Sequence, residues 1–318
     1  MTDLVYTGNL PKGVEKALSS RYSAQSLCLQ ELGVNAFVEK LDGARAIVVI
    51  PGDPINKTFI DSLPDSIGLI ASYSTGVDHI DVPAAQKRGI VVSNTPDVLT
   101  DATADVALLL TLGAARGAGD GERLLRSGEW AGWNPNQIFG IDLNKKIFAV
   151  FGFGRIGQAT ARRALAFGME VIYYSRSGNA HCEDINARFV ENFDDFLAQA
   201  DVLSLHAPAT PATRHIVNKD SIEKMKDGVI IVNTARGELI DDNALLSALE
   251  CRKVRAVGLD VFNNEPNLNP RYAELPNTFL LPHIGSSTEE TRKAMGDKVL
   301  DNLAAFFANT PLPDQVRL

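Results

Sequence analysis

Residues 147–177, IFAVFGFGRIGQATARRALAFGMEVIYYSRS, decide the fold of this chain. The apolar run 147–151 predicts a buried strand, residues 155–167 a helix that ends at Gly168, and residues 171–174 a second strand. Glycines in G-x-G-x-x-G spacing let the backbone N–H groups of a helix N-terminus meet a pyrophosphate. The stretch therefore predicts a βαβ unit whose dinucleotide site is formed by Gly152, Gly154, Arg155, Ile156 and Gly157. The alternative is a chance glycine turn, but the flanking strand and helix are the context that the motif requires.

The turn after the second predicted strand bears on which dinucleotide would bind. It reads Ser175-Arg176-Ser177, without the acid that usually holds the ribose hydroxyls in an NAD-selective site. An Asp there would repel a ribose phosphate, whereas Ser and Arg can hydrogen-bond and neutralise one. The turn therefore favours NADPH over NADH, with NADH still possible. The alternative is that Arg176 is a solvated loop residue.

Length and composition fit a two-domain protein of a reducing compartment. The 318 residues suffice for two sizeable cores, and the net charge of −8 argues against a nucleic-acid partner. Cys28, Cys182 and Cys251 lie far apart and form neither a disulfide framework nor a metal-ligand cluster. The N-terminus lacks a signal-peptide pattern, and the apolar segment 104–115 is too short to span a bilayer. We therefore expect a cytoplasmic protein with no metal and no membrane partner.

The first third of the chain alternates strand-like and helix-like segments, which predicts a parallel sheet covered by helices. We expect strands at residues 4–6, 26–29, 46–50, 69–73 and 90–93, and helices near 14–20 and 55–62. No glycine-rich phosphate turn follows the first strand, so this part is expected to contact substrate rather than cofactor. The loop Ser74-Thr75-Gly76-Val77 follows an apolar strand, and its backbone N–H groups could hold a carboxylate. The alternative is a turn that Asp81 caps before the next helix.

Polar residues recur where the predicted strands of the second part end. Strands are expected at 202–205, 229–232, 256–259 and 278–281. The carboxyl ends of parallel strands form the cofactor crevice of a doubly wound sheet. We therefore expect this crevice to be lined by His206, Ala207, Pro208, Thr234, Ala235, Arg236, His283 and Gly285.

Arg236, Glu265 and His283 together supply the groups needed to reduce a 2-oxo acid. A planar guanidinium can hold a carboxylate bidentately and polarise the adjacent carbonyl. A histidine can give a proton to the carbonyl oxygen, and a carboxylate beside it favours the charged imidazole and fixes its tautomer. Taken singly, the three could be a salt-bridge arginine, a solvated acid and a core histidine. The combination favours catalysis.

At these segments the chain resembles the D-isomer-specific 2-hydroxyacid dehydrogenase family. The matching pieces occur in the family's order and are Gly152-Phe153-Gly154-Arg155-Ile156-Gly157, His206-Ala207-Pro208, Asn233-Thr234-Ala235-Arg236-Gly237, Gly258-Leu259-Asp260-Val261-Phe262, Glu265-Pro266 and Pro282-His283-Ile284-Gly285-Ser286. The early loop 74–81 also looks like the family's substrate loop, in a variant form.

The resemblance implies individual roles for several residues. Arg236 would bind the substrate, His283 would be the acid–base group, and Glu265 would be its partner. Gly76 and the Val77 backbone would help to hold the substrate carboxylate. The two cofactor roles that only the resemblance supplies are Asp260 facing the nicotinamide amide and Thr103 facing the cofactor phosphates.

Within the family, the turn 175–177 looks like that of the NADPH-preferring glyoxylate/hydroxypyruvate reductases. The expected reaction is therefore the NADPH-dependent reduction of a small 2-oxo acid to the D-2-hydroxy acid, with His283 as proton donor. One alternative is the reduction of a larger sugar acid such as 2-ketogluconate. An alternative of a different class is a non-enzymatic, dinucleotide-sensing corepressor of the same fold.

The expected fold class is α/β, with two doubly wound parallel-sheet domains: a flavodoxin-like substrate domain and a Rossmann cofactor domain. The substrate-binding domain would comprise residues 1–99 and be completed by the C-terminal helix 287–318, and the dinucleotide-binding domain would comprise residues 100–286. The resemblance implies a homodimer with the helix 102–116 at its interface and no extra regulatory domain. Trp130 and Trp133 are expected to pack at a core edge or a subunit interface, with a place in the substrate pocket as the lesser option for Trp133.

Overall fold

The computed structural model of the protein describes residues 2–176 and 184–317. The chain divides into two compact units, residues 1–99 with 287–318 and residues 100–286. Each unit is built on its own parallel sheet. None of the described helices is both long enough and apolar enough to cross a membrane.

The first unit contains a five-stranded parallel sheet with the strand order β2-β1-β3-β4-β5. Every residue of β1, β3 and β4 is buried, and these strands are mostly apolar, as is typical of a sheet covered on both faces. Its elements are β1 (Leu4–Thr7), α1 (Lys12–Arg21), β2 (Ala24–Leu27), α2 (Leu29–Glu39), β3 (Ala46–Val49), α3 (Lys57–Ser62), β4 (Leu69–Ser72), α4 (Val82–Lys87), β5 (Val91–Ser93) and, from the end of the chain, α12 (Glu289–Phe307).

Alternate strand residues of this sheet enter two separate cores. Val5 and Ile47 pack on one face, and Leu4 and Val48 pack on the other. Helix α12 joins the second of these cores through Met295, Val299, Leu300 and Leu303. The last helix of the chain is therefore part of the first unit.

The second unit contains a seven-stranded parallel sheet with the strand order β12-β11-β10-β9-β6-β7-β8. Strand β6 pairs with β7 on one side and β9 on the other, so the strand order reverses at β6, the point where ligands of such sheets bind. Its elements are α5 (Thr100–Arg116), α6 (Ala118–Arg126), β6 (Ile147–Phe151), α7 (Arg155–Ala166), β7 (Glu170–Tyr174), β8 (Ala187–Phe189), α8 (Phe193–Gln199), β9 (Val202–Leu205), α9 (Lys219–Lys224), β10 (Val229–Asn233), a 3₁₀ helix (Gly237–Leu239), α10 (Asp242–Glu250), β11 (Val254–Leu259), α11 (Arg271–Glu274) and β12 (Thr278–Leu280).

The predicted fold class is confirmed, since both sheets are parallel, with a flavodoxin-like order in the first and a Rossmann order in the second. The strand expected at 26–29 is displaced by two residues. It is an edge strand with exposed Gln25 and Ser26, and the apolar Leu29 that suggested its end belongs to α2. The short edge strand β8 was not predicted, because its three residues are not fully buried and show no apolar run.

Candidate active site

The turn between β6 and α7 has two positions where only glycine fits. Gly152 has φ of 92°, and a Cβ there would lie 2.7 Å from the backbone nitrogen of Ala207. A Cβ on Gly157 would lie 2.2 Å from the carbonyl oxygen of Gly152. A Cβ on Gly154 would meet no described atom within 4 Å, and no described side chain caps α7, whose first residues are Arg155 and Ile156. Within residues 2–176 and 184–317, open space therefore lies beside Gly154, the residue from which this helix begins.

Two buried polar atoms at the ends of neighbouring strands have no hydrogen-bond partner among the described residues. They are Nδ1 of His206, which follows β9, and Oγ1 of Thr234, which follows β10. Nε2 of His206 lies 2.8 Å from the hydroxyl of Ser204, and burial lowers the pKa of the imidazole to about 3, so the ring is neutral at neutral pH. Buried polar atoms are normally paired, so these two suit a ligand with polar groups of its own. With the open glycine turn, they fit a dinucleotide.

The other residues expected at this crevice are held by short local hydrogen bonds. Ala207 is buried, and the carbonyl of Pro208 accepts a hydrogen bond from the hydroxyl of Thr213 at 2.7 Å. The N–H of Ala235 donates to Oδ1 of Asn233 at 2.9 Å. These contacts fix the backbone after β9 and β10.

The turn after β7 is described only in part. Strand β7 ends at Tyr174, Ser175 is half-buried, and Arg176 is exposed to solvent. Ser177, the third residue of the predicted NADPH-selective turn, lies outside the described residues. Selectivity for NADPH therefore stays a prediction.

Glu265 and His283 form a hydrogen-bonded pair. Nδ1 of His283 lies 2.7 Å from Oε2 of Glu265, and Oε1 accepts the backbone N–H of Phe262 at 2.8 Å. The side chains of His283 and Glu265 are 44% and 34% exposed, so a ligand can reach them from solvent. Burial alone would raise the pKa of Glu265, but the hydrogen bonds from His283 and Phe262 and the charges of His283 and Arg236 outweigh it and lower that pKa. Glu265 is thus an ionised carboxylate beside an imidazole.

Arg236 lies in the turn after β10. The buried side chain of Asn233 donates to the carbonyl of Arg236 at 2.8 Å, which fixes this turn. The next residue, Gly237, packs directly against the loop that carries Glu265, because a Cβ there would lie 2.0 Å from the carbonyl carbon of Phe262. The structure therefore brings Arg236, Glu265 and His283 together. Glu265 and His283 share a hydrogen bond, and the charge of Arg236 lowers the pKa of Glu265. Asn233 belongs to the matching segment 233–237 but was not predicted to be a site residue.

Asp260 holds the turn that carries His283. Its two carboxylate oxygens accept the backbone N–H groups of Ile284 and Gly285, each at 2.7 Å. The hydroxyl of Thr103 donates to the carbonyl of Gly285 at 3.2 Å. Burial raises the pKa of Asp260 despite these hydrogen bonds. The cofactor roles implied for Asp260 and Thr103 stay predictions, but both residues support His283, whose φ of 53° is in the left-handed region.

The predicted carboxylate loop belongs to the first unit. The hydroxyl of Ser74 donates to the carbonyl of Gly76 at 2.6 Å and lies 2.7 Å from the hydroxyl of Ser72. The hydroxyl of Thr75 donates to the carbonyl of Thr95 at 2.6 Å. The loop is therefore fixed by its own side chains.

The alternative prediction for this region, a turn that Asp81 caps before the next helix, is confirmed. Oδ1 of Asp81 accepts the N–H of Ala84 at 2.9 Å and caps α4. Val77 is partly buried against the apolar core on that side of the sheet. The binding of a carboxylate by residues 74–77 stays a prediction.

Large apolar side chains are exposed on residues 125–139, here called the apolar segment. Trp133 is 83% and Trp130 49% exposed, and Leu125, Ile138 and Phe139 are exposed as well. The expectation that Trp133 could pack at a core edge is therefore wrong within a single chain. Residues 127–139 form no helix or strand, so this stretch has no regular element against which the indole ring of Trp133 could pack. Exposed apolar surface of this kind is typical of a contact site.

These features define what the second unit can do chemically. An open helix N-terminus suits a pyrophosphate, an arginine suits a carboxylate, and an imidazole held by an ionised carboxylate can transfer a proton. Within residues 2–176 and 184–317, no group of three or more His, Cys, Asp or Glu side chains could hold a metal ion. The arrangement favours acid–base chemistry on a small anionic substrate.

The chain has clear relatives among known proteins. Residues 108–285 match the family model described as D-isomer specific 2-hydroxyacid dehydrogenase, NAD binding domain. The chain is 43% identical over 284 residues to a glyoxylate reductase from Thermococcus litoralis, covering 88% of this chain and 85% of that protein. It is 39% identical over 284 residues to a glycerate dehydrogenase from Hyphomicrobium methylovorum, covering 89% of this chain and 88% of that protein.

A solved structure shows the same architecture over almost the whole chain. It is an NADPH-dependent glyoxylate/hydroxypyruvate reductase from Sinorhizobium meliloti in complex with NADP and malonate. The TM-score is 0.89 at 31% sequence identity, with 99% of this chain and 97% of that chain covered.

Proposed function

This chain belongs to the D-isomer specific 2-hydroxyacid dehydrogenase family, and on that premise we propose that with NADPH it reduces glyoxylate to the achiral glycolate, or hydroxypyruvate to the D-2-hydroxy acid. As a member of the family it is an oxidoreductase. The observation that carries the proposed reduction is the hydrogen bond between Glu265 and His283, with the charge of Arg236 beside it.

Arg236 is the residue proposed to orient the substrate. Its guanidinium can bind a carboxylate through two parallel N–H donors and polarise the adjacent carbonyl. The hydrogen bond from Asn233 and the packing of Gly237 hold its backbone, so little backbone freedom is lost when a substrate binds.

His283 is proposed to supply the proton. Glu265 engages Nδ1, which leaves Nε2 as the nitrogen that donates to the carbonyl oxygen. The ionised carboxylate stabilises the charged imidazole before transfer and fixes its orientation. The bound dinucleotide supplies the hydride.

The glycine turn after β6 is proposed to hold the pyrophosphate, with His206 and Thr234 offering polar atoms at the crevice. Ser175 and Arg176 are proposed to hold the phosphate on the ribose. Support comes from the sequence of the turn, where neither residue is acidic, and from the exposure of Arg176, which leaves its guanidinium accessible.

Initial rates test this proposal directly. We expect oxidation of NADPH with glyoxylate and hydroxypyruvate to be faster than with pyruvate or 2-ketogluconate, and faster than the same reactions with NADH. Faster turnover of 2-ketogluconate than of glyoxylate would show that the substrate is a sugar acid. Binding of cofactor without turnover of any 2-oxo acid would contradict the enzyme proposal and favour a dinucleotide-sensing protein.

We also propose that the apolar segment is covered by a second copy of the chain, which would form a homodimer. The exposed rings of Trp133 and Phe139 support this, because surface of this kind is costly to leave in water. Analytical ultracentrifugation should give twice the mass of the 34.3 kDa chain. Trp133→Glu should shift the protein towards the monomer, and a monomeric unsubstituted protein would contradict the proposal.

A further inference from the structure

A partly buried hydrogen-bonded cluster lies beside the loop that carries Glu265. The phenol of Tyr272, which is 1% exposed, donates to Oδ1 of Asp242 at 2.9 Å. The side-chain amide of Asn263 donates to the same oxygen at 2.9 Å and to the carbonyl of Ile240 at 3.0 Å. Burial and the charge of Asp242 raise the pKa of Tyr272, so its hydroxyl remains a donor at any working pH. The proposed reaction gives none of these side chains a role.

The cluster is connected to the proton-transfer pair through one short loop. Asn263 precedes Glu265 by two residues. The N–H of Phe262 donates to Oε1 of Glu265 at 2.8 Å, while Oε2 is bound to His283 at 2.7 Å. On another side the loop touches Gly237, where a Cβ would lie 2.3 Å from the backbone nitrogen of Asn263. A shift of Asn263 would therefore move the carboxylate.

We propose that Asp242, Asn263 and Tyr272 are positioning residues that set the contact between Glu265 and His283. The inference rests on the proposed function only in assigning that pair to proton transfer. A displacement of 1 Å in a reacting group can cost about a hundredfold in rate. Asn263 fixes the loop, Asp242 fixes Asn263, and the buried Tyr272 fixes the carboxylate of Asp242.

The first test observes the pair itself. The Nδ1 proton of His283 can be followed by NMR in protein labelled with ¹⁵N-histidine, where only five histidines contribute and a His283→Asn sample assigns the signal. In Tyr272→Phe we expect this proton to exchange with water about tenfold faster, because a looser carboxylate protects it less. Equal exchange in Tyr272→Phe and the unsubstituted protein would overturn the proposal.

The second test is a double-mutant cycle on kcat with glyoxylate and NADPH. Tyr272→Phe alone should lower kcat about tenfold and leave the Kd of NADPH unchanged. In a Glu265→Ala background it should have no further effect, since the group it positions is gone. Equal losses in both backgrounds would show a general structural effect and overturn the proposal. If the unsubstituted protein turned over no 2-oxo acid, the proposed function would fail, while the exchange rates would still decide the positioning.

Thr278→Val is the matched control. Its buried hydroxyl donates to the carbonyls of Tyr272 and Leu275 at 2.8 and 2.9 Å, so its loss loosens the same region without touching Asp242. We expect a lower Tm with unchanged kcat and unchanged proton exchange. Asp242→Asn keeps an acceptor oxygen and should retain most activity, whereas Asp242→Ala should match Tyr272→Phe or exceed it. Loss of kcat in Thr278→Val equal to that in Tyr272→Phe would count against the cluster.

Discussion

The two parallel sheets of this protein start alike and then differ at the first turn. A glycine with positive φ follows each first strand, Gly8 at 66° and Gly152 at 92°. A Cβ on Gly8 would meet the end of the Ile50 side chain at 2.5 Å, whereas a Cβ on Gly152 would meet the backbone of Ala207 at 2.7 Å. A side-chain end can move aside more easily than the backbone that follows the neighbouring strand β9. The shared topology therefore does not predict a dinucleotide site, while a glycine turn packed directly on the backbone after β9 favours one.

The largest expected effect tests whether the second sheet carries the catalysis. His283→Asn should lower kcat about 10²- to 10⁴-fold, because Asn tolerates the left-handed backbone but cannot transfer the proton. Cofactor binding, measured by calorimetry, should persist. His215 is the control, since it lies in the same unit with φ of 51°. His215→Asn should keep turnover within about twofold, and equal losses in the two variants would contradict the assignment.

The next effect compares the first helix of each sheet. A Cβ would meet no described atom within 4 Å at either Gly154 or Gly13. Gly154→Ala should raise the Kd of NADPH about tenfold, or about 1.4 kcal/mol, because the methyl group occupies the space proposed for the pyrophosphate. Gly13→Ala should leave that Kd unchanged and stabilise the protein by about 0.4–1 kcal/mol. An unchanged Kd in Gly154→Ala would remove the pyrophosphate from this turn.

An effect of comparable size concerns the turn after β7, the second strand of the second unit. Arg176→Asp should lower the ratio of kcat/KM for NADPH to that for NADH about tenfold or more, because it replaces a phosphate ligand by a repelling charge. Arg188→Asp changes the charge equally at an exposed arginine that contacts Gln199. That control should leave the ratio unchanged. A ratio that stays constant in Arg176→Asp would show that this turn does not select the cofactor.

The smallest effect contrasts two carboxylates in the pH dependence of stability. In the first unit, Oδ2 of Asp53 accepts the hydroxyl of Thr7 and the N–H of Ile50, yet burial raises its pKa. As pH rises, the unfolded chain ionises first, so Asp53 costs stability above its ordinary pKa. The pKa of Glu265 is lowered, so Glu265 adds stability above its ordinary pKa and loses it as pH falls through the lowered value.

Thermal unfolding at a series of pH values measures this contrast. Asp53→Asn keeps an acceptor oxygen, and its Tm relative to the unsubstituted protein should rise by a few degrees between about pH 4 and about pH 7. Glu265→Gln should show the reverse, with a deficit in Tm that shrinks below about pH 4. The same trend in both variants would refute the opposite pKa shifts.

Local patterns explain what the sequence could predict. Fully buried strands such as β6 show as apolar runs, and the glycine turn has its own spacing, so both could be located from a few adjacent residues. The convergence of Arg236, Glu265 and His283 followed from their places after successive strands. The edge strands β2 and β8 lack this signal because solvent replaces one neighbour.

Contacts between distant segments could not be predicted in the same way. Asp242 lies 21 residues from Asn263 and 30 from Tyr272, and nothing in the local sequence tells which of the adjacent Asn263 and Asn264 turns inward. The hold of Asp260 on the backbone after His283 depends on the pairing of β11 with β12. Such contacts follow from tertiary packing rather than from periodicity.

The intrinsic fluorescence of the two exposed tryptophans reports on the apolar segment. Trp130 and Trp133 are the two tryptophans of the whole chain, and both lie on the apolar segment. The intrinsic emission therefore arises from one patch of surface, with no background from indoles in the cores. A red-shifted spectrum that iodide quenches readily reports an open patch, and a blue-shifted, protected spectrum reports a covered one. Tryptophan emission can thus test, without a label, whether a second copy covers the apolar segment.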